Sequence, residues 1–127
     1  MKAEFLPGNR ITLLETGSAY FPALLEAIDA ATDEIYLETY IFEDDGTGRL
    51  VAAALSRAAN RGVKVRVLVD GFGAREFPAK LMPALEASDV KVLVYRKKIS
   101  PLTLRRQRLR RLHRKLVVVD ARLAFVG

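Results

Sequence analysis

Apolar positions recur along this chain in two rhythms, and the alternation between them predicts its elements. Phe21, Leu24, Leu25 and Ile28 return at helical spacing from Ala19 to about Ala31, with Glu26 on the opposite side. A Thr16-Gly17-Ser18 turn precedes this helix, and Ser18 is the expected cap. From Leu50 to Asn60 the same period gathers Val51, Ala54, Leu55 and Ala58 on one face. Arg57 and Arg61 lie near its end, where the helix dipole favours cations, and Gly62 stops it. A shorter helix over Ala79–Ala87 carries Leu81, Met82 and Leu85, with Pro83 at or near its boundary.

The second rhythm is that of strands. Arg10–Glu15 reads as a short strand, Glu34–Phe42 as a central strand buried on both faces, and Val63–Val69 and Val90–Tyr95 as two more. Helices alternating with strands through short connectors predict an α/β layered domain with a mostly parallel or mixed central sheet. Ligands of such sheets gather beyond the carboxyl ends of the strands. Asp70-Gly71 sits at such an end, although turn chemistry explains an Asp-Gly pair equally well.

The last strand carries the chemistry. Leu116-Val-Val-Val119 is bounded by Asp120-Ala-Arg122, a strand followed by a turn. If it begins near Leu112, its period of two places His113, Lys115, Val117 and Val119 on one face and Arg114, Leu116, Val118 and Asp120 on the other. His113 and Lys115 then point together, about 7 Å apart along the strand, close enough to reach one phosphate group. Asp120 faces away, as an orienting or strand-ending residue. Glu38, a carboxylate in the middle of a buried strand, requires a partner: a histidine or lysine at the sheet edge, or an ordinary ion pair.

Composition narrows the chemistry further. A chain of 127 residues, half of them apolar, is one domain with a real core. It has no cysteine and one histidine, so a disulfide framework is excluded and a zinc site has almost no ligands. Metal-free chemistry with no cofactor is the expectation. The acidic loop Glu43-Asp-Asp-Gly-Thr-Gly48 lacks the spaced oxygen ligands of a calcium loop, and Asp44 or Asp45 with Thr47 is expected to start the next helix.

Charge is unevenly distributed. Ten of the 21 lysines and arginines, and none of the 15 acidic residues, fall between Arg96 and Lys115. The net charge of +6 therefore hides a negative remainder and a basic segment, residues 96–112, that connects into the motif. Arg105, Arg106, Arg108, Arg110, Arg111 and Arg114 form its patch, with Leu102, Leu109, Leu112 and Leu116 interspersed. Three readings stay open: a basic amphipathic segment on an anionic membrane, a solvated connecting loop, or a nucleic-acid patch weakened by the lack of interleaved aromatics. Charges and Pro7 at the N-terminus do not form a secretory signal, which predicts a cytoplasmic chain. No apolar run approaches the roughly 20 residues of a membrane span, so membrane contact is expected to be peripheral.

His113-x-Lys115-x4-Asp120-x6-Gly127 resembles the HKD motif of the phospholipase D superfamily at all four positions. Ile35-Tyr-Leu-Glu-Thr-Tyr-Ile-Phe42 and Arg61-Gly-Val-Lys-Val-Arg-Val-Leu-Val-Asp-Gly71 are similar to the first half of bacterial cardiolipin synthases, so the likeness runs from about Asn9 to the end. Ala121 departs from the pattern, standing where a turn glycine is frequent. The resemblance implies a phospholipase D-like layered α/β/α sandwich in which residues 1–127 are a single N-terminal half, incomplete at its motif. It also implies phosphodiester chemistry through a phosphohistidine on His113, with Lys115 and Asp120 as catalytic partners, Glu38 and Gly127 in support, and a second histidine from another copy of the motif. The implied partners are anionic phospholipid, phosphatidylglycerol above all, at the cytoplasmic face of the membrane, together with the missing half or a homodimeric partner. Three functions follow: a phosphatidyltransferase of cardiolipin synthase type, inactive as a lone half; a homodimeric phosphodiesterase or nuclease; or a non-catalytic basic module that binds phospholipid or nucleic acid.

Overall fold

The computed structural model describes residues 7–40, 42–71, 77–95 and 115–127. In chain order its elements are α1 (Gly17–Ala30), β1 (Glu34–Thr39), α2 (Gly46–Asn60), β2 (Lys64–Asp70), α3 (Phe77–Lys80), α4 (Met82–Ala87), β3 (Lys91–Tyr95), β4 (Lys115–Val119) and β5 (Leu123–Val126). The strands form one sheet in the order β3-β2-β1-β4-β5. β1, β2 and β3 run parallel, and β4 and β5 are antiparallel to their neighbours, so the sheet is mixed. With its helices this is the predicted α/β class.

Strand alternation explains the core. Ile35 pairs with Val65 and Val119, and Leu37 with Val67 and Val117, so one face of the sheet is a block of branched side chains. That block merges with Leu24, Ala27 and Ile28 of α1, with Val51, Ala54, Leu55 and Ala58 of α2, and with Leu85 of α4 in a single cluster. Each fully buried aliphatic side chain contributes roughly 1.5–3 kcal/mol by leaving water. The face expected for α2 is the one buried.

Two arginines tie the helices together. Arg57 pairs with Asp29 at 3.0 Å. Arg61, just past the end of α2, donates to the carbonyls of Ile28 (2.9 Å) and Ala31 (3.1 Å), and so caps α1. Gly62 ends α2 with φ at +95°, a conformation glycine adopts without a Cβ penalty.

Several boundaries differ from expectation. Arg10–Glu15 is not a strand: the sheet ends at β3 and β5, no strand edge receives this segment, and Ile11 and Leu13 are exposed. α1 begins at Gly17, with Thr16 rather than Ser18 at the cap position, where the Thr16 and Ser18 hydroxyls bond each other at 2.8 Å. β1 stops at Thr39, short of Phe42. The expected Ala79–Ala87 helix is two short ones, with a proline in the first turn of α4. The terminal strand is followed by β5, which the sequence pattern did not predict.

Candidate active site

β4 enters the sheet antiparallel to β1, and this places its first residue, Lys115, across from Thr39 at the carboxyl end of β1. The amide of Gly127 donates to the Lys115 carbonyl at 2.9 Å, so the far end of β5 closes beside it. Around this point opens a cleft of about 540 Å³. Its walls come from Thr16 and Gly17 at the start of α1, Thr47 and Gly48 at the start of α2, Leu37 to Thr39, Lys115 to Val117, and Val126 with Gly127. The cleft thus lies beyond the carboxyl end of β1, where open α/β sheets bind ligands. Its size and its largely apolar lining with a few polar groups suit a small-molecule site.

Lys115 shares a sheet face with Val117 and Val119, as the period of two requires, and is itself exposed in the cleft. Glu38 belongs to the other face of β1, across from Leu116 and Leu68. It is 8% exposed, and among the described residues the Tyr36 hydroxyl donates to its Oε1. Tyr36, two positions earlier on the same strand, shares its face with Glu38, and the histidine expected as a partner lies outside the described residues. His113, the basic-patch residues Arg105, Arg106, Arg108, Arg110, Arg111 and Arg114, and the rest of segment 96–112 lie outside the described residues.

The loop leading into α2 forms one wall. Asp45 caps the helix by accepting from the Gly48 amide at 2.7 Å, and Arg49 pairs with Asp44 at 2.7 Å. A Cβ on Gly48 would stand 1.9 Å from the Glu43 carbonyl oxygen, so only glycine fits there. Tyr20 lines the cleft, and burial raises its phenol above the ordinary value. Among the described residues no group of histidines and carboxylates is arranged to hold a metal ion.

Asp120 is not in the cleft. It follows the opposite end of β4, about 16 Å from Lys115 at the usual rise per residue. Its carboxylate accepts from the amides of Thr32 (3.0 Å), Asp33 (2.7 Å) and Glu34 (3.0 Å), and its own amide donates to the Glu34 carbonyl at 2.8 Å. One side chain thereby clasps the end of β4 to the segment entering β1 and fixes the register that puts Lys115 beside Thr39. Asp120 has φ at +53° and Ala121 at +51°, a left-handed pair that turns the chain into β5. Asparagine and aspartate tolerate this region, whereas alanine pays about 1–2 kcal/mol for it.

Hydrogen bonds from the Thr32, Asp33 and Glu34 amides hold the Asp120 carboxyl below its ordinary value of 3.8. A depressed folded-state pKa contributes stability that is present above the unfolded value and lost as pH falls through the folded one. Asp120→Asn keeps the left-handed backbone but lacks the charge. We expect its thermal midpoint to lie below that of the unsubstituted protein at neutral pH, with the gap closing on acidification below about pH 4. Melting curves from pH 7 downward test this, and a gap independent of pH would refute it.

Three comparisons bear on what this arrangement belongs to. Cardiolipin synthase B of Escherichia coli (strain K12) is 42% identical over all 127 residues, which cover 31% of that protein. The major cardiolipin synthase ClsA of Bacillus subtilis (strain 168) is 36% identical over 126 residues, 98% of this chain and 26% of that one. The chain therefore spans about a third or less of the length of these curated relatives. The crystal structure of Nuc, a phospholipase D family member from Salmonella typhimurium, superposes with a TM-score of 0.58 at 22% identity, over 84% of this chain and 60% of that one, a likeness of fold. The family described as cardiolipin synthase, PLD-like domain, matches residues 24–127, and to that family this chain belongs.

Proposed function

We propose that the chain is one domain, residues 1–127, from the N-terminal, first-motif part of a phosphatidyltransferase of cardiolipin synthase type. The observation that supports it best is the position of Lys115, exposed in a cleft at the carboxyl end of β1 and two residues after the only histidine. A neutral His113 imidazole attacks the phosphorus of phosphatidylglycerol. The bond from phosphorus to the glycerol oxygen breaks, phosphatidyl is left on the ring nitrogen, and glycerol departs after taking a proton from a second histidine. That histidine comes from another copy of the motif, in the remainder of a longer chain or in a homodimeric partner. The hydroxyl of a second phosphatidylglycerol returns the proton to it and displaces His113, which yields cardiolipin.

In this reading Lys115 faces the nonbridging phosphate oxygens and balances the charge that grows on them. Asp120 acts through the register of β4, and Gly127 through its bond to the Lys115 backbone. The basic residues 105, 106, 108, 110, 111 and 114 hold the protein on the anionic cytoplasmic surface of the membrane. No helix among the described residues is long and apolar enough to cross it.

The test is to incubate the full-length protein with phosphatidylglycerol and assay cardiolipin and glycerol. Both should appear in equal amounts, and His113→Ala should yield neither. If neither product forms, or if His113→Ala turns over normally, the proposal fails.

A further inference from the structure

Tyr20 stands in the wall of the cleft, in the first turn of α1, where its amide donates to the Thr16 carbonyl at 2.8 Å. Its ring meets two others edge to face: the centroid of Phe21 lies 5.2 Å away and that of Phe125 5.7 Å away, at interplanar angles of 89° and 85°. Such pairs favour one orientation of the ring. Phe125 is buried and pairs with Val117 across β4 and β5. Two residues further along these strands come Lys115 and Gly127, joined by the bond from the Gly127 amide to the Lys115 carbonyl. The row under Tyr20 is therefore the neighbour of the Lys115 row on the same face, about 7 Å away along the strand. Phenylalanine would serve the ring contacts equally well, and a half-buried hydroxyl costs free energy unless it is paired. Among the described residues no hydrogen bond reaches the Tyr20 hydroxyl, whereas that of Tyr36 donates to Glu38. A buried phenol ordinarily has a partner, and the space that Tyr20 borders is the cleft.

We infer that the Tyr20 hydroxyl donates a hydrogen bond to a nonbridging oxygen of the phosphodiester that Lys115 faces, so that α1 and β4 each supply one donor to the same phosphate. This rests on the cleft being the phosphodiester site. The two donors do different work. An ammonium is a point charge on a flexible stem, which attracts the anion without fixing its orientation. A phenol is uncharged and directional, and a ring already set against Phe21 and Phe125 has little freedom left to lose on binding. Among the groups of a phospholipid, the anionic oxygens make the strongest hydrogen bonds, which favours the phosphate over an ester carbonyl or a headgroup hydroxyl as the partner. Carboxylates also stand on the cleft walls, at Glu15, Glu38, Glu43 and Asp45, and they repel an anion. A neutral donor beside Lys115 holds the phosphate against them.

The full-length His113→Ala protein allows binding to be read without turnover, by calorimetry with two ligands: dihexanoylphosphatidylglycerol, a water-soluble phospholipid, and dimethyl phosphate, the bare diester anion. Adding Tyr20→Phe should weaken both by about 10- to 100-fold, as loss of a hydrogen bond to a charged group does. The melting temperature should stay in place, because the ring contacts persist. With His113 intact, Tyr20→Phe should lower kcat/KM for cardiolipin formation by a similar factor. Unchanged binding of both ligands would overturn the inference. So would a loss confined to the phospholipid, which would put the phenol at its glycerol or acyl end, and so would a tyrosine-bearing protein that does not take up dimethyl phosphate. Cardiolipin formed at the full rate by the Tyr20→Phe enzyme would remove the phenol and retain the transfer reading. A matched loss for both ligands in a protein that forms no cardiolipin would do the reverse.

Discussion

On the proposed function, Lys115→Met in the full-length protein should lower the rate of cardiolipin formation at saturating phosphatidylglycerol by about 10²- to 10³-fold, the usual cost of removing one preorganised partner of developing charge. The Lys115 side chain is exposed and opens into the cleft, and methionine keeps the unbranched stem, so the melting temperature should barely move. The loss should appear in kcat more than in KM, because the ammonium interacts more strongly with the crowded pentavalent phosphorus than with the resting diester. Lys115→Arg should recover part of the rate. A Lys115→Met enzyme with unaltered turnover would show that this cleft is not where phosphate is handled. A fall matched by an equal loss of folded protein would point to structure instead of chemistry.

The largest expected effect on stability comes from the core. Leu55 has no exposed surface, and α2 sets it into the cluster shared with α1 and the sheet. Truncation by Leu55→Ala removes its transfer energy and leaves a cavity, together about 2–5 kcal/mol. Against a domain stability of about 5–15 kcal/mol this is a large fraction. Urea unfolding should show the midpoint falling with the slope unchanged. A loss below about 1 kcal/mol would mean that α2 does not pack on the sheet as described.

Much of this was legible from residue order, because the informative signals are local. The face of α2 could be read from Val51, Ala54, Leu55 and Ala58, since a period of 3.6 needs only neighbours three and four positions apart. β1, β2 and β3 were equally plain, and the spacing of His113, Lys115, Asp120 and Gly127 carried the family. What escaped was whatever depends on a distant partner. Arg10–Glu15 has the composition of a strand but pairs with neither edge of the sheet, β3 or β5, so tertiary context overrides its propensity. β5 is four residues long, too short for its alternation to stand out from the turn before it. The partners of Asp120 lie 86 to 88 residues away, and nothing near position 120 names them. Glu38 shows an intermediate case, for its burial was expected while the phenol of Tyr36 was not.

The clasp made by Asp120 also bears on the order in which the sheet assembles. Pairing β1 with β2 brings together Glu34 and Lys64, a short closure spanned by α2. Holding Thr32 against Asp120 closes a loop 88 residues long, nearly three times as large, which costs about 1 kcal/mol more in chain entropy. Entropy therefore favours the parallel trio forming first, with the β4–β5 hairpin docking onto a finished edge of β1. The strand that begins at Lys115 is the one with the most freedom to lose, and a carboxylate outside the cleft is what holds it in place.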